Sequence, residues 1–318
     1  TVTVNDQVYG TILFQNQELD DFIIARSDGT PTYNFTVVVD DLDMKITHVI
    51  RGDDHLNNTP KQINLLSALN APLPTYARIP MILGPDGKKL SKRYGAISVM
   101  VYRDEGYLPQ ALLNYLVRLG WSYGDQEIFS LEEMIKYFEL TSLNKSAAAI
   151  NPDKLLWLNQ HYLKTLPNLE IEQQLKWHLN DQDITLTSHP VLSEVIDAQR
   201  ERCRTLAEMA ARSKFFYANE LHYPAALIEQ HFNPHVYEAL NESITVFSNL
   251  ETWNQESLHH AISEICQRQG LKMGQFAQPL RIVLTSGTVS PPMDLTLAIL
   301  GREITLNRIN NFIEQHSS

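Results

Sequence analysis

Residues 84–93 read GPDGKKLSKR and set Lys88, Lys89, Lys92 and Arg93, four cations in six residues, on a loop punctuated by Gly84 and Gly87. A site that splits a nucleoside triphosphate needs positive groups where charge develops on the leaving pyrophosphate. Ammonium groups on a loop that closes over the substrate can supply them. The same cations would also suit a solvated basic turn, and their spacing leaves both readings open. The chain has no GxxxxGK[ST], which excludes a P-loop. In the run RGDDH at residues 51–55, Arg51 offers a guanidinium able to grip a carboxylate with two parallel hydrogen bonds. Tyr33 offers a hydroxyl, or only a packed ring. Asp40, Asp41, Asp53 and Asp54 suit a divalent ion or a solvated turn, whereas His48 and His55 lack the spacing of a zinc site.

Alternating strands and helices must position these groups. Residues 32–39 (TYNFTVVV) are β-branched and aromatic and read as a strand ending at Asp40-Asp41. Residues 45–50 (KITHVI) form a second strand ending at Arg51. Thr59-Pro60 starts a helix, with Thr59 as its N-cap and proline at the first helical position. Residues 76–83 (YARIPMIL) form a third strand, closed by the GPDG turn. Strand, helix, strand with short links predicts parallel strands joined by a right-handed crossover. In such sheets ligands sit beyond the carboxyl ends of the strands. Asp40-Asp41, residues 51–55 and the basic loop are therefore expected to line one crevice.

From about residue 108 the pattern turns helical: a proline-started helix runs from Pro109 to Gly120, and Ser130 to Glu133 form a capping box. That box opens a helix whose one face carries Leu131, Met134, Ile135 and Phe138. Amphipathic helices continue to the end of the 318 residues. A net charge of −11 confines any RNA-binding surface to a local patch. Cys203 and Cys266 have no CxxC company and read as free thiols of a reduced compartment. Bottom-up, the chemistry stops at an anion and nucleotide site that takes a carboxylate substrate.

Long strings then carry a resemblance. SDGTPTYNFTVVVDDLDMKITHVIRGDDHLNNTPKQ, GKKLSKRYGAISV, YLPQALLNYLVRLGWSYGDQEIFS, DKLLWLNQHY and KMGQFAQPLRIVLTSGTVSPPMD closely resemble bacterial-type glutamyl-tRNA synthetases, and KLSKR resembles the KMSKS signature of class I synthetases. The resemblance implies an α/β then all-α chain: the second half of a doubly wound, Rossmann-type parallel catalytic domain, then helical stem-contact and anticodon-binding domains. It divides the chain into residues 1–22 (tail of an acceptor-stem insert), 23–93 (catalytic half), 94–165 (stem contact) and 166–318 (anticodon binding, two subdomains split near 222). It implies ATP with Mg²⁺, L-glutamate and tRNA(Glu) as partners, no zinc in this segment, and a cytoplasmic monomer.

By position in the matching strings, Tyr33 and Arg51 match glutamate-binding residues, and Asp54 an ATP-contacting acid. Ile82 matches a backbone contact to adenine. Lys89, Lys92 and Arg93 match catalytic positions of the signature loop, with Lys89, Ser91 and Lys92 on ATP; Arg202 and Arg281 match arginines that meet anticodon bases. Asp53 and Tyr94 stand where the family often has Glu and His. The alternatives are a glutaminyl-tRNA synthetase relative and a non-catalytic anticodon-binding module. Against the first, residues beyond about 165 read as helical where that relative uses β-barrels.

The family's HxGH motif does not occur in these 318 residues. A site built from both halves of a sheet loses its fit to the transition state when one half is missing. We therefore expect this chain alone to give no glutamate-dependent ATP–pyrophosphate exchange. Exchange above background in pure material of this length would overturn that expectation.

Overall fold

The structure, a computed structural model, describes residues 1–88 and 98–316. Two compact units emerge, Thr1–Ser98 with Pro109–Leu155 and Val99–Leu108 with Leu156–Ser318.

In the first unit, β1 (Val2–Asp6) buries every second side chain, and β2 (Gly10–Phe14) turns back antiparallel along it. Helix α1 (Tyr33–Asp43) follows, then β3 (His48–Gly52), α2 (Thr59–Ala68) and β4 (Thr75–Ile79). β3 and β4 pair in parallel, from His48 opposite Thr75 to Gly52 opposite Ile79, with α2 as the crossover that parallel neighbours require. The sheet order is β2-β1-β4-β3, and β1 joins β4 in parallel at Asp6 opposite Tyr76. Val2, Val4, Ile63 and Tyr76 form the core between the sheet and α2.

Three sequence expectations need correction here. The first predicted strand is helix α1. Its four β-branched residues, Thr36 to Val39, each cost a helix about half a kcal/mol. Phe35, Val38 and Leu42, however, fall at helical spacing. Val38 is buried, and α1 packs on α2. Burying one valine returns about 2 kcal/mol, enough to offset that propensity. Thr32 supports the first turn, its carbonyl accepting from the amides of Phe35 and Thr36.

The predicted third strand breaks in two. Pro80 has no N–H to continue the ladder, so β4 ends at Ile79. After Met81, β5 (Ile82–Leu83) leaves to pair with β6 (Ala148–Ala149) in a separate two-stranded sheet. The cap of α2 also shifts by one residue: Asn58 is the N-cap and Thr59 the first helical residue, its hydroxyl directed to Arg51 instead.

The rest of this unit is helical. α4 (Pro109–Gly120) buries Asn114, whose side chain bonds the carbonyl of Glu127 and the amide of Phe129. α5 (Leu131–Tyr137) begins with the predicted capping box, Ser130 and Glu133 bonding each other's backbone amides. Its apolar face is a further correction. Only Met134 enters the core, beside Trp121 and Phe129, while Leu131, Ile135 and Phe138 stay exposed. Tyr137 and the Phe138 ring rest against the edge of that small aromatic cluster.

In the second unit, α3 (Val99–Asp104) and α6 (Pro152–Thr165, from Leu156 onward) precede α7 (Asn168–Asp181), α8 (Leu192–Gln199) and α9 (Leu206–Tyr217). α10 (Ala225–His231), α11 (Pro234–Ser248), α12 (Gln255–Arg268), α13 (Met273–Thr285) and α14 (Met293–His316) complete it. α7, α8 and α9 pack together, as do α11 to α14. Buried Arg308 on α14 ties the two groups, donating to the carbonyls of Leu284, Phe215 and Ala218. α14 breaks at Gly301, whose φ of +79° suits glycine, and a Cβ there would stand 2.7 Å from His189 Nε2. Both cysteines are free and buried, and burial pushes the Cys203 thiol up to about 12.

One buried ion pair fastens β1 to β4. Asp6 accepts from Arg78 Nε at 2.9 Å and from the amides of Val8 and Tyr9, and the Tyr9 ring lies 4.5 Å from the guanidinium. Breaking such a pair strands a charge in the interior. Asp6→Ala is expected to lower unfolding free energy by roughly 3–5 kcal/mol in urea titrations. The double variant Asp6→Leu/Arg78→Met should recover most of it, and equal stability of Asp6→Ala and the parent would refute the assignment.

Candidate functional site

The carboxyl end of β3 organises the first unit's polar groups. Alternation along the strand points Val49 and Arg51 to the α2 side and Ile50 to the other. Arg51 Nη2 donates to Thr59 Oγ1 and to Gln62 Oε1, both at 2.8 Å. Thr59 and Gln62 are buried one turn apart on α2. Gln62 Nε2 donates in turn to Asn34 Oδ1 on α1 at 3.1 Å. Neutral oxygens thus hold the guanidinium by one nitrogen, and among the described residues no carboxylate bonds it.

Asn34 lies in the first turn of α1, next to Tyr33. Tyr33 is half exposed, with its ring 6.4 Å from that of His55. Arg51, Tyr33 and His55 are therefore gathered as the sequence suggested, although Tyr33 opens a helix and not a strand. Asp40 and Asp41 are not gathered at a strand end: they lie near the carboxyl end of α1, a consequence of the strand-to-helix correction. Burial raises the Asp41 carboxyl above its usual range, Arg51 opposes the rise and Asp40 adds to it. Asp41, Gln62 and Tyr76 border an apolar cavity of about 370 Å³ against Val38 and Leu66. Burial also pushes the Tyr76 phenol up to about 12.

Past Arg51 the chain enters a 3-10 turn, Asp53–Asn58. The Asp54 carboxylate folds back over Gly52, where an added Cβ would meet Asp54 Oδ1 at 2.7 Å, and it lies 4.0 Å from His55 Nε2. Asp53 bears on the Tyr9 phenol, which burial, chiefly, raises. His48, at the opposite end of β3, accompanies Thr47 and takes no part. Ile82 in β5 pairs with Ala148 on one edge and borders an apolar cavity of about 230 Å³ with Ile50, Ile79, Leu116 and Trp121. The turn after Leu83 forms as expected: Gly87 N–H donates to Gly84 O, and Gly84 N–H to Lys88 O. Lys88 is exposed at its end, and Lys89, Ser91, Lys92, Arg93 and Tyr94 lie outside the described residues.

Thr59, Gln62 and Asn34 escaped the sequence reading. The signal was there: Thr59 and Gln62 occupy the buried face of an amphipathic helix with Ile63 and Leu66, and buried polar groups require partners.

In the second unit, Arg202 sits in the turn between α8 and α9, its amide bonded to Gln199 O. Arg281 lies on α13, half buried. Burial, and then the charge of Arg202, lower the Arg281 pKa. The two arginines are electrostatic neighbours.

Comparisons with known proteins find relatives along nearly the whole chain. Residues 1–157 match the family described as tRNA synthetases class I (E and Q), catalytic domain, and residues 164–313 match the anticodon binding domain. A glutamate–tRNA ligase of Coxiella burnetii is 54% identical over 312 residues, which are 98% of this chain and 66% of that protein. One from Alkalilimnicola ehrlichii is 52% identical, with the same coverage. A crystal structure of a glutamate tRNA ligase from Elizabethkingia meningosepticum, in complex with its amino acid, superposes with a TM-score of 0.78 at 31% identity. It too is matched over 98% of this chain and 66% of its own. The chain thus spans 66% of the length of these relatives. With a parallel βαβ core matching the catalytic domain and a helical bundle matching the anticodon domain, the chain belongs to the class I (E and Q) tRNA synthetases.

Proposed function

We propose that this chain is the part of a glutamate–tRNA ligase that carries one side of the adenylation site and the anticodon-reading helices. In the reaction ATP and glutamate give glutamyl-adenylate and pyrophosphate, and the glutamyl group then passes to tRNA(Glu). Arg51 and Tyr33 bind glutamate: the guanidinium keeps donors for a carboxylate because its present partners are neutral. Asp54 and the backbone at Ile82 contact ATP. Lys89, Lys92 and Arg93, with Ser91, neutralise charge developing on the departing pyrophosphate. Mg²⁺ enters with ATP, held through phosphate oxygens and water. The functional division is the expected one, residues 1–22, 23–93, 94–165 and 166–318, in a cytoplasmic monomer.

The observation that favours tRNA most directly is the setting of Arg281. It is half buried and held only by neutral oxygens, with no carboxylate bonded to it among the described residues, so its charge stays available to a ligand rich in acceptors. Glutamate rather than glutamine is favoured because the described residues from Pro152 to His316 form helices and connections without a strand.

The test is binding of tRNA(Glu) transcripts to the chain. Arg202→Ala and Arg281→Ala should each weaken binding by about 1–3 kcal/mol. The loss should fall on transcripts with the native anticodon and shrink when the contacted base is replaced, unlike an even loss from a phosphate contact. Indistinguishable binding by the parent and both variants would sink the proposal.

A further inference from the structure

Arg281 is held as few surface arginines are. Its Nε donates to Ser290 Oγ at 3.0 Å, and its Nη1 to Gln278 Oε1 one turn earlier on α13. Both acceptors are themselves fixed. Ser290, 8% exposed, donates its single hydroxyl hydrogen to Pro291 O at 2.7 Å, so toward Arg281 its oxygen can only accept. Fully buried Thr296 closes the cluster, with its hydroxyl 3.1 Å from Pro291 O and 3.4 Å from Ser290 Oγ. Gln278 donates through Nε2 to Thr288 O at 3.1 Å, which sets its amide so that Oε1 faces Arg281. Two of the three guanidinium nitrogens are therefore directed by neutral oxygens, and the donors of Nη2 have no partner among the described residues.

The arrangement differs from an ion pair in its consequence. A carboxylate would orient the guanidinium and also spend its charge. Neutral oxygens orient it and leave the charge available. Order imposed before binding lowers the entropy lost when a ligand docks, and a planar guanidinium held through Nε and Nη1 presents its Nη2 donors in a single direction. We infer that Ser290 and Gln278 are positioning residues that aim the Nη2 donors of Arg281 at a nucleobase, so that selectivity for the anticodon depends on them although neither need touch the RNA. This rests on the proposed tRNA reading and adds to it the groups that set its selectivity.

The experiment uses the 318-residue chain, tRNA(Glu) transcript, and the same transcript with each anticodon base replaced in turn. Binding is measured across a range of salt concentrations for the parent, Arg281→Ala, Ser290→Ala and Gln278→Ala. Ser290→Ala and Gln278→Ala should each reduce the preference for the native anticodon by about three- to tenfold, the net worth of one ordinary hydrogen bond. Their slopes of log K against log salt should stay at the parent value, because no charge has been removed. Gln278 is only partly buried and on a helix surface, so its variant decides the matter if Ser290→Ala does not fold. Parent-level preference in both variants, while Arg281→Ala loses it, would overturn the positioning roles and leave the tRNA reading standing. An equal loss on native and replaced anticodons would also overturn them, as damage to the fold. Should Arg281→Ala keep the parent's preference, the tRNA reading of that residue falls, and the positioning roles fall with it.

Discussion

The parallel pairing of β3 with β4 is the constraint on which the first unit's site depends. Parallel neighbours cannot be joined by a tight turn, so the chain must cross over through α2. That crossover lays the buried face of α2 under the end of β3, which puts Thr59 and Gln62 within hydrogen-bonding reach of Arg51. The same pairing, with the break at Pro80, carries β5 and the Gly84 turn away from the sheet. β1 enters beside β4 and is fastened there by Asp6 and Arg78.

Four arginines in this chain differ in what holds them, and the difference separates architecture from recognition. Arg78 is buried against a carboxylate that also accepts two backbone amides, so its charge is neutralised inside the fold. Arg308 spends three donors on carbonyls at helix ends, and burial takes its pKa to about 10. Arg51 and Arg281 are held instead by side-chain oxygens of neutral residues, each through two of the five donors a guanidinium carries. They keep both charge and donors while their orientation is set. The pattern recurs in the two units, at a sheet end and on a helical bundle.

An acidic chain that carries an anticodon binding domain has no contradiction in it, because charge acts locally. At −11 overall, the bulk of the surface repels phosphate. Attraction is confined to places where a cation is held without a carboxylate to neutralise it, such as Arg281. That confinement favours reading of specific groups over indiscriminate backbone binding, since the sequence-independent part of RNA affinity scales with phosphates neutralised.

Much of the architecture was legible in the residues. The Pro109 helix, the Ser130 capping box, the β3–α2–β4 unit and the helical second half follow from caps, breakers and periodicity, which are local properties. Arg51 and the acidic run beside it could be singled out by residue type and by the rule that ligands gather at strand ends, whereas the roles of Tyr33 and Asp54 came only from the resemblance. What the residues did not disclose was decided by tertiary contacts. The β-branched segment 32–39 became helix α1 because burial of Val38 against α2 outweighed local propensity, and that moved Asp40 and Asp41 away from the sheet end. Leu131 and Ile135 stayed exposed because the Trp121 cluster is met by Met134 and Tyr137 instead. The partners of Arg51 and Arg281 likewise stand in no motif, since a hydrogen bond between side chains on different elements exists only once packing has set their distance. The sequence by itself determined which groups carry charge and where most caps and breakers fall. Only the tertiary structure decided which of those charges are neutralised and which are held open, because neutralisation depends on separations of a few ångströms across the fold.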